Sequence, residues 1–272
     1  MSKKIINKTI IDNDKVIKKR NDKVISLYDY LDSRGFDQHP NIININDDFI
    51  ESEYIKSHNK YEIIEGVDFI KTVATLHSKT MEYKSVSKNK YRKVYDKIIG
   101  NIEYLKKYYE NIISNIEDEV FMSPSHYLLI RNYSVIDGAL KYGKNNIKKW
   151  FKLVSNKTKE RVCIVHNNLS FDHFIRGDKN YLTSFDNYLV DTPVLDLYTF
   201  YKKEGFKLNF NELLKEYNKI NELTQDEKLL LNVLISIPIK ITEVEDEYLN
   251  CINIRDSLNY LYSCMNIINE NK

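Results

Sequence analysis

The stretch from Arg161 to Tyr201, RVCIVHNNLSFDHFIRGDKNYLTSFDNYLVDTPVLDLYTFY, constrains the fold more than any other part of this chain. It opens with the apolar run Val162–Val165, which reads as a buried strand. A polar loop around His166 follows, then a strand pair, a turn, and an amphipathic helix opened by Thr192 and Pro193. A buried strand that ends in a loop rich in His, Asn and Asp places chemistry-bearing side chains at the edge of a core. The rest of the chain has to build that core.

With 272 residues the chain suits one domain, or two lobes sharing an interface. Hydrophobic residues make up 42% and aromatics 12%, enough for a sizeable core. Seven Gly and four Pro exclude long flexible linkers and low-complexity classes. Forty-one basic residues face 39 acidic ones, a net charge of +2, so no strong global field draws the chain to nucleic acid or membrane. The first two dozen residues are locally basic, from Lys3 and Lys4 to Arg20 and Lys23, and are read as a solvated surface. Three cysteines, Cys163, Cys251 and Cys264, make an odd count and imply reduced thiols rather than a disulfide framework. MSKKIINKTI lacks the apolar run of a signal peptide, and no window approaches ~18 apolar residues, so a soluble, internal protein is expected.

Ile5–Ile11 and Lys15–Lys19 read as two strands around the turn Asp12-Asn13-Asp14, and 22–33 as a short helix capped by Gly35. Two strands divided by Asn46-Asp47-Asp48 occupy 36–55. From Tyr61 the chain turns helical. One apolar stripe runs to His77 and a second spans 88–116, where tyrosines at helical spacing are core rather than a base-stacking surface. Ser123-Pro124 opens a helix that continues around Trp150, and 208–217, 225–235 and 243–268 give three more, broken by the Pro238 segment. The ending NENK is a polar tail.

The order of parts in 161–201 resembles the catalytic segment of the aminoglycoside phosphotransferase and choline kinase-like family, its spore-coat branch above all. There the loop reads H-x-D-L-x-x-x-N and the next strand ends in D-F-D. His166 and Leu169 keep this pattern, but Asn168 stands at the Asp position, His173 at the Asn position, and Ser184 at the metal-binding Asp. DTPVLDL resembles the family's D-x-P-x-x-D-L. The resemblance implies that Asp196 holds the loop backbone and that His166 anchors the loop from beneath. TVATLHSKT resembles the A-x-L-H ending the first C-lobe helix, which makes His77 a core or interface histidine.

The resemblance implies an α+β, protein kinase-like bilobal fold: a reduced N-lobe over 1–55 and a mainly helical C-lobe over 56–272. Lys18 then stands for the phosphate-pairing lysine, with Lys19 nearly as well placed and an edge-strand surface lysine the competing reading. The helix over 22–33 has no Glu to hold that lysine; Asp29 or Asp32 is the substitute. Glu53, Tyr54 and Ile55 resemble the adenine-contacting hinge. No glycine precedes Gly35, so backbone amides cannot wrap phosphates in the usual way.

Phosphoryl transfer needs a positioned base, typically on the order of 10²–10⁴ in rate, and oxygen ligands for magnesium. Asn168 is no base, and neither His173 nor Ser184 offers a carboxylate. The resulting expectation is a catalytically impaired, pseudokinase-like protein acting in binding or structure, cytoplasmic or spore-coat associated. No catalytic residue, no metal and no cofactor beyond weak ATP are expected; the partner is an unidentified protein, not membrane or nucleic acid. The alternative is an active small-molecule phosphotransferase in which Asp172 or Asp186 takes over the lost roles, or in which Asp172, His173 and Asp186 form an unusual metal site with His166.

Overall fold

The computed structural model describes residues 4–6, 9–12, 14–56 and 62–270. Asn13 of the first turn, Lys3, Lys8, Tyr61 and the last two residues of the tail lie outside them. In chain order the first elements are β1 (Lys4–Ile6), β2 (Thr9–Asp12), β3 (Lys15–Lys19), α1 (Asp22–Ser33), β4 (Ile42–Ile45) and β5 (Phe49–Glu53). They are followed by α2 (Glu62–Thr80), β6 (Glu82–Ser85), α3 (Lys88–Glu117) and α4 (Pro124–Val154). Next come β7 (Lys159–Val165), β8 (Phe174–Arg176), β9 (Asn180–Leu182), β10 (Leu189–Asp191) and α5 (Val194–Lys203). The chain closes with α6 (Phe210–Ile220), α7 (Gln225–Ser236) and α8 (Glu247–Glu270).

Two compact units share these elements: Met1–Glu82, Arg161–Thr199 and Glu212–Glu222 form the first, and Tyr83–Glu160, Phe200–Asn211 and Leu223–Lys272 the second.

The first unit carries a five-stranded antiparallel sheet ordered β1-β2-β3-β5-β4. Ile5–Ile11, expected as one strand, is two: β1 and β2 pair with Ile6 opposite Thr9. Between them the sequence offers Asn7 as its one turn-favouring residue and no glycine, too weak a signal to break the apolar run. In α1, Asn21 accepts the Lys23 amide as N-cap. The helix ends in paired reverse bonds, Phe36 N–H to the Leu31 carbonyl and Gly35 N–H to that of Asp32, both at 2.9 Å. That closure needs the left-handed residue that Gly35 supplies at φ +71°. Its inner face buries Val24, Leu27, Tyr28 and Leu31.

In the second unit α4 packs against α3, α7 and α8. Gly143 lies inside α4, where a Cβ would stand 3.2 Å from both Ile102 Cδ1 and Ser236 Oγ. The glycine is there for close helix approach, so α4 runs through it unbroken. Tyr91 and Tyr109 of the tyrosine stripe are buried. Tyr109 Oη donates to the Ile239 carbonyl at 2.9 Å and accepts the Ile241 amide at 3.0 Å, fastening the Pro238 segment. Burial pushes its phenol up to about 12. The three cysteines are free thiols. Among the described residues no helix is long and apolar enough to cross a membrane.

At the start of α4, His126 Nδ1 lies 2.8 Å from Glu119 and Nε2 lies 3.5 Å from Glu243. The Glu119 hydrogen bond, followed by the charges of Glu119 and Glu243, raises the imidazole above its ordinary value. A raised folded-state value means that the imidazolium stabilises the fold fully below ~6.5, and that this contribution fades as pH rises through the raised value. The difference in unfolding midpoint between wild type and His126→Ala is therefore expected to be larger at mildly acidic pH than in alkaline buffer. Equal differences across that range, followed by circular dichroism, would refute the assignment.

Candidate functional site

The first unit gathers nearly all the residues singled out in the sequence. β7 delivers the loop: it pairs antiparallel with β10, Val165 opposite Leu189 and Cys163 opposite Asp191, and its last four residues are buried. At its end the amides of His166 and Asn167 donate to Asp196, to Oδ2 and Oδ1 respectively, each at 2.7 Å. Asn167 adopts φ 60°, a left-handed turn that aims both amides at one carboxylate.

A directed chain of hydrogen bonds reaches the same carboxylate from behind. Asn221 Nδ2 donates to Tyr217 Oη at 2.6 Å, Tyr217 Oη sits 2.8 Å from His77 Nδ1, and His77 Nε2 sits 3.1 Å from Asp196 Oδ2. The carboxylate can only accept, so His77 carries its proton on Nε2 and Tyr217 donates to Nδ1. His77, Tyr217 and Asp196 are completely buried. Every link has a donor and an acceptor, and a satisfied buried network of this kind fixes one geometry.

His166 is also fully buried, and its Nε2–H donates to the Thr183 carbonyl at 2.7 Å, fixing the residue before Ser184. The His166 ring packs on Phe185 at 4.9 Å and stacks over His173 at 5.6 Å. Asn168, half-buried, donates from Nδ2 to His173 Nε2 at 3.0 Å. The positions of the expected base and of one expected metal ligand are thus bonded to each other, an amide to an imidazole.

Ser184 stands at φ 63° and ψ 49°, the second left-handed non-glycine residue. Lys18 Nζ reaches its hydroxyl at 3.4 Å. In β3 Lys18 lies opposite Ile50 and is half-buried, whereas Lys19 is exposed, so strand alternation turns Lys18 toward the loop. Asp29 is exposed and Asp32 holds His39 Nε2 at 3.1 Å, so the structure brings neither to Lys18. Tyr28 faces inward from α1 instead: buried, edge-on to Phe185 at 5.9 Å, its phenol pushed up by burial and then by the Asp186 charge. Periodicity marks Tyr28 as core; nothing in the sequence says that Phe185 is what it meets.

Asp172 and Asp186 are exposed, each in the first turn of a short 3-10 segment, Phe171–His173 and Phe185–Asn187. Among the described residues no three His, Cys, Asp or Glu side chains gather as a metal-sized group. Glu53 is tied down: its carboxylate accepts the Asn41 amide at 2.9 Å and the Asn41 side chain at 3.0 Å. Tyr54 N–H donates to the Asp14 carbonyl at 3.0 Å. Ile55 runs against Gly177 in the β8–β9 turn, where a Cβ would stand 3.0 Å from Ile55 Cγ2.

A small antiparallel N-lobe sheet with one inserted helix, then a mainly helical C-lobe with an aspartate-held loop, is the protein kinase-like α+β fold of small-molecule phosphotransferases. The whole chain is similar to an aminoglycoside phosphotransferase from Alicyclobacillus acidocaldarius subsp. acidocaldarius: TM-score 0.72 at 6% identity, covering 99% of this chain and 92% of that one. A spectinomycin phosphotransferase solved with ADP and spectinomycin superposes with TM-score 0.53 at 11% identity, covering 94% and 88%. A choline kinase from Streptococcus pneumoniae gives 0.46 at 15%, covering 97% and 94%. At these identities the likeness is one of fold. No protein-family model and no curated protein matches the sequence.

Asp196→Ala removes the acceptor of two loop amides and of His77. Unpaired buried donors cost roughly 1–3 kcal/mol, more when the lost acceptor was charged. A clear fall in the urea midpoint is expected for Asp196→Ala and little change for Asn168→Ala; matching midpoints for wild type and Asp196→Ala would remove the loop-holding role.

Proposed function

We propose that this chain is a kinase-like binding protein in which phosphoryl transfer is impaired. The observation that carries the reading is the Asn168–His173 hydrogen bond, which fills the base position and a metal-ligand position with an amide and an imidazole. Ser184 adds a third, offering Lys18 a hydroxyl where a magnesium-binding carboxylate would stand. The scaffold around them is intact, since Asp196 still shapes the loop. What is left for a nucleotide is a lysine contact from Lys18 and backbone contact near Tyr54 and Ile55, neither of which needs metal. That a protein of similar fold was solved with ADP favours an adenine nucleotide as the remaining ligand. The spore-coat association rests on the loop resemblance alone, through His166, Leu169 and the DTPVLDL run.

Calorimetric titration with ATP in magnesium and in EDTA tests the reading. Weak binding that is nearly the same in both buffers is expected, with no transfer to aminoglycoside or choline acceptors. The triple variant Asn168→Asp, His173→Asn, Ser184→Asp should gain magnesium dependence in its nucleotide binding. Submicromolar affinity in the wild type that collapses in EDTA, or turnover abolished by Asp186→Ala, would overturn the proposal in favour of an active phosphotransferase.

A further inference from the structure

One end of the second unit carries large apolar side chains in water on an ordered platform. Val120 is 87% exposed and Phe121 90%, in the connection between α3 and α4. Met122 follows, and Val244 ahead of α8 and Tyr248 and Leu249 in its first turn are exposed. The two segments are laced together. Ser125 donates its amide and its hydroxyl to the Glu247 carboxylate at 2.6 and 2.9 Å. His126 lies between Glu119 and Glu243. Asn250 closes on Val244 through two hydrogen bonds, each 2.9 Å. The apolar groups therefore stand on a fixed surface rather than on a loose loop.

That surface is also strongly acidic. Glu117-Asp118-Glu119 flank one side, and Glu243 with Glu245-Asp246-Glu247 the other. Between Lys107 and Arg131, and again between Lys240 and Arg255, the sequence has no Lys or Arg. An anionic lipid surface or a nucleic acid would be repelled by such a rim. A second copy of the chain, whose Leu153 is exposed beside Lys149 and Lys152, is the competing occupant that the sedimentation arm below tests.

We infer that this end is a docking surface for a basic amphipathic segment of another protein, whose apolar face covers Phe121 and Tyr248 and whose lysines or arginines meet the carboxylate rim. Exposed aromatic anchors inside a charged border are the usual anatomy of such a groove partner. The inference stands on the second unit's surface and is separable from the nucleotide reading: calorimetry with ATP and peptide titration succeed or fail independently.

The probe is a fluorescein-labelled helical peptide of leucine and lysine, followed by anisotropy with the full chain. Saturable binding that weakens with salt is expected. Val120→Ser with Phe121→Ser should lower affinity about tenfold or more. Glu117→Gln, Asp118→Asn, Glu245→Gln and Asp246→Asn together should do the same, with unfolding midpoints unchanged. A control peptide with glutamate for lysine, and one with serine for leucine, should not bind. The inference is overturned by absent binding or by binding that both surface variants leave intact. It is equally overturned by Phe121-dependent binding to phosphatidylserine vesicles, or by Phe121-dependent self-association in sedimentation.

Discussion

The carboxylate of Asp196 is the constraint on which the described site depends. It accepts two consecutive backbone amides from one side and an imidazole N–H from the other, with His166 and His77 fully withdrawn from water. A buried acceptor of this kind is costly to strand and costly to replace. The loop from His166 to Leu169 has one conformation because its first two amides have one destination. His166 passes that order on, through Thr183, to the left-handed turn at Ser184. Two loops distant in sequence are thus set by one acid and one ring.

The side chains at the expected base and metal-ligand positions carry no carboxylate. An amide is bonded to an imidazole, and a hydroxyl meets an ammonium. The frame belongs to the protein kinase-like fold, and its superposition over almost the full length of an aminoglycoside phosphotransferase is a statement about architecture. The chemistry has to be argued from Asn168, His173 and Ser184 themselves. They supply shape and hydrogen bonds, with no anion to gather a divalent ion.

Much of the fold was legible because its elements carry period and punctuation. The end of α1 follows from Gly35, and α3 from its apolar stripe; the Asn21 cap is supplied by the structure. The split of Ile5–Ile11 is marked only by Asn7, a weak signal inside an apolar run without glycine. Gly143 carries no local signal; its reason is Ile102 and Ser236, far away in sequence. The site divides in the same way. His166 and Asp196 lie in one readable run, whereas Tyr217 of α6 and Asn221 just past its end, which complete the buried chain behind Asp196, carry no signal in the sequence beyond a helix and its close. Lys18 over Lys19 was decided by strand alternation against β5, which requires the register to be known.

The discontinuity of the first unit sets a timetable for its folding during synthesis. Its opening section ends at Glu82, yet its last, Glu212–Glu222, is made only after the intervening chain. At ~5–20 residues per second the β-sheet and His77 wait roughly 7–28 s for Tyr217 to be polymerised. During that interval the His77 ring lacks the Tyr217 hydroxyl that later bonds its Nδ1. The first unit therefore closes only when its last section has been made, while much of the second unit, drawn from the long helices α3 and α4, can coil as it emerges.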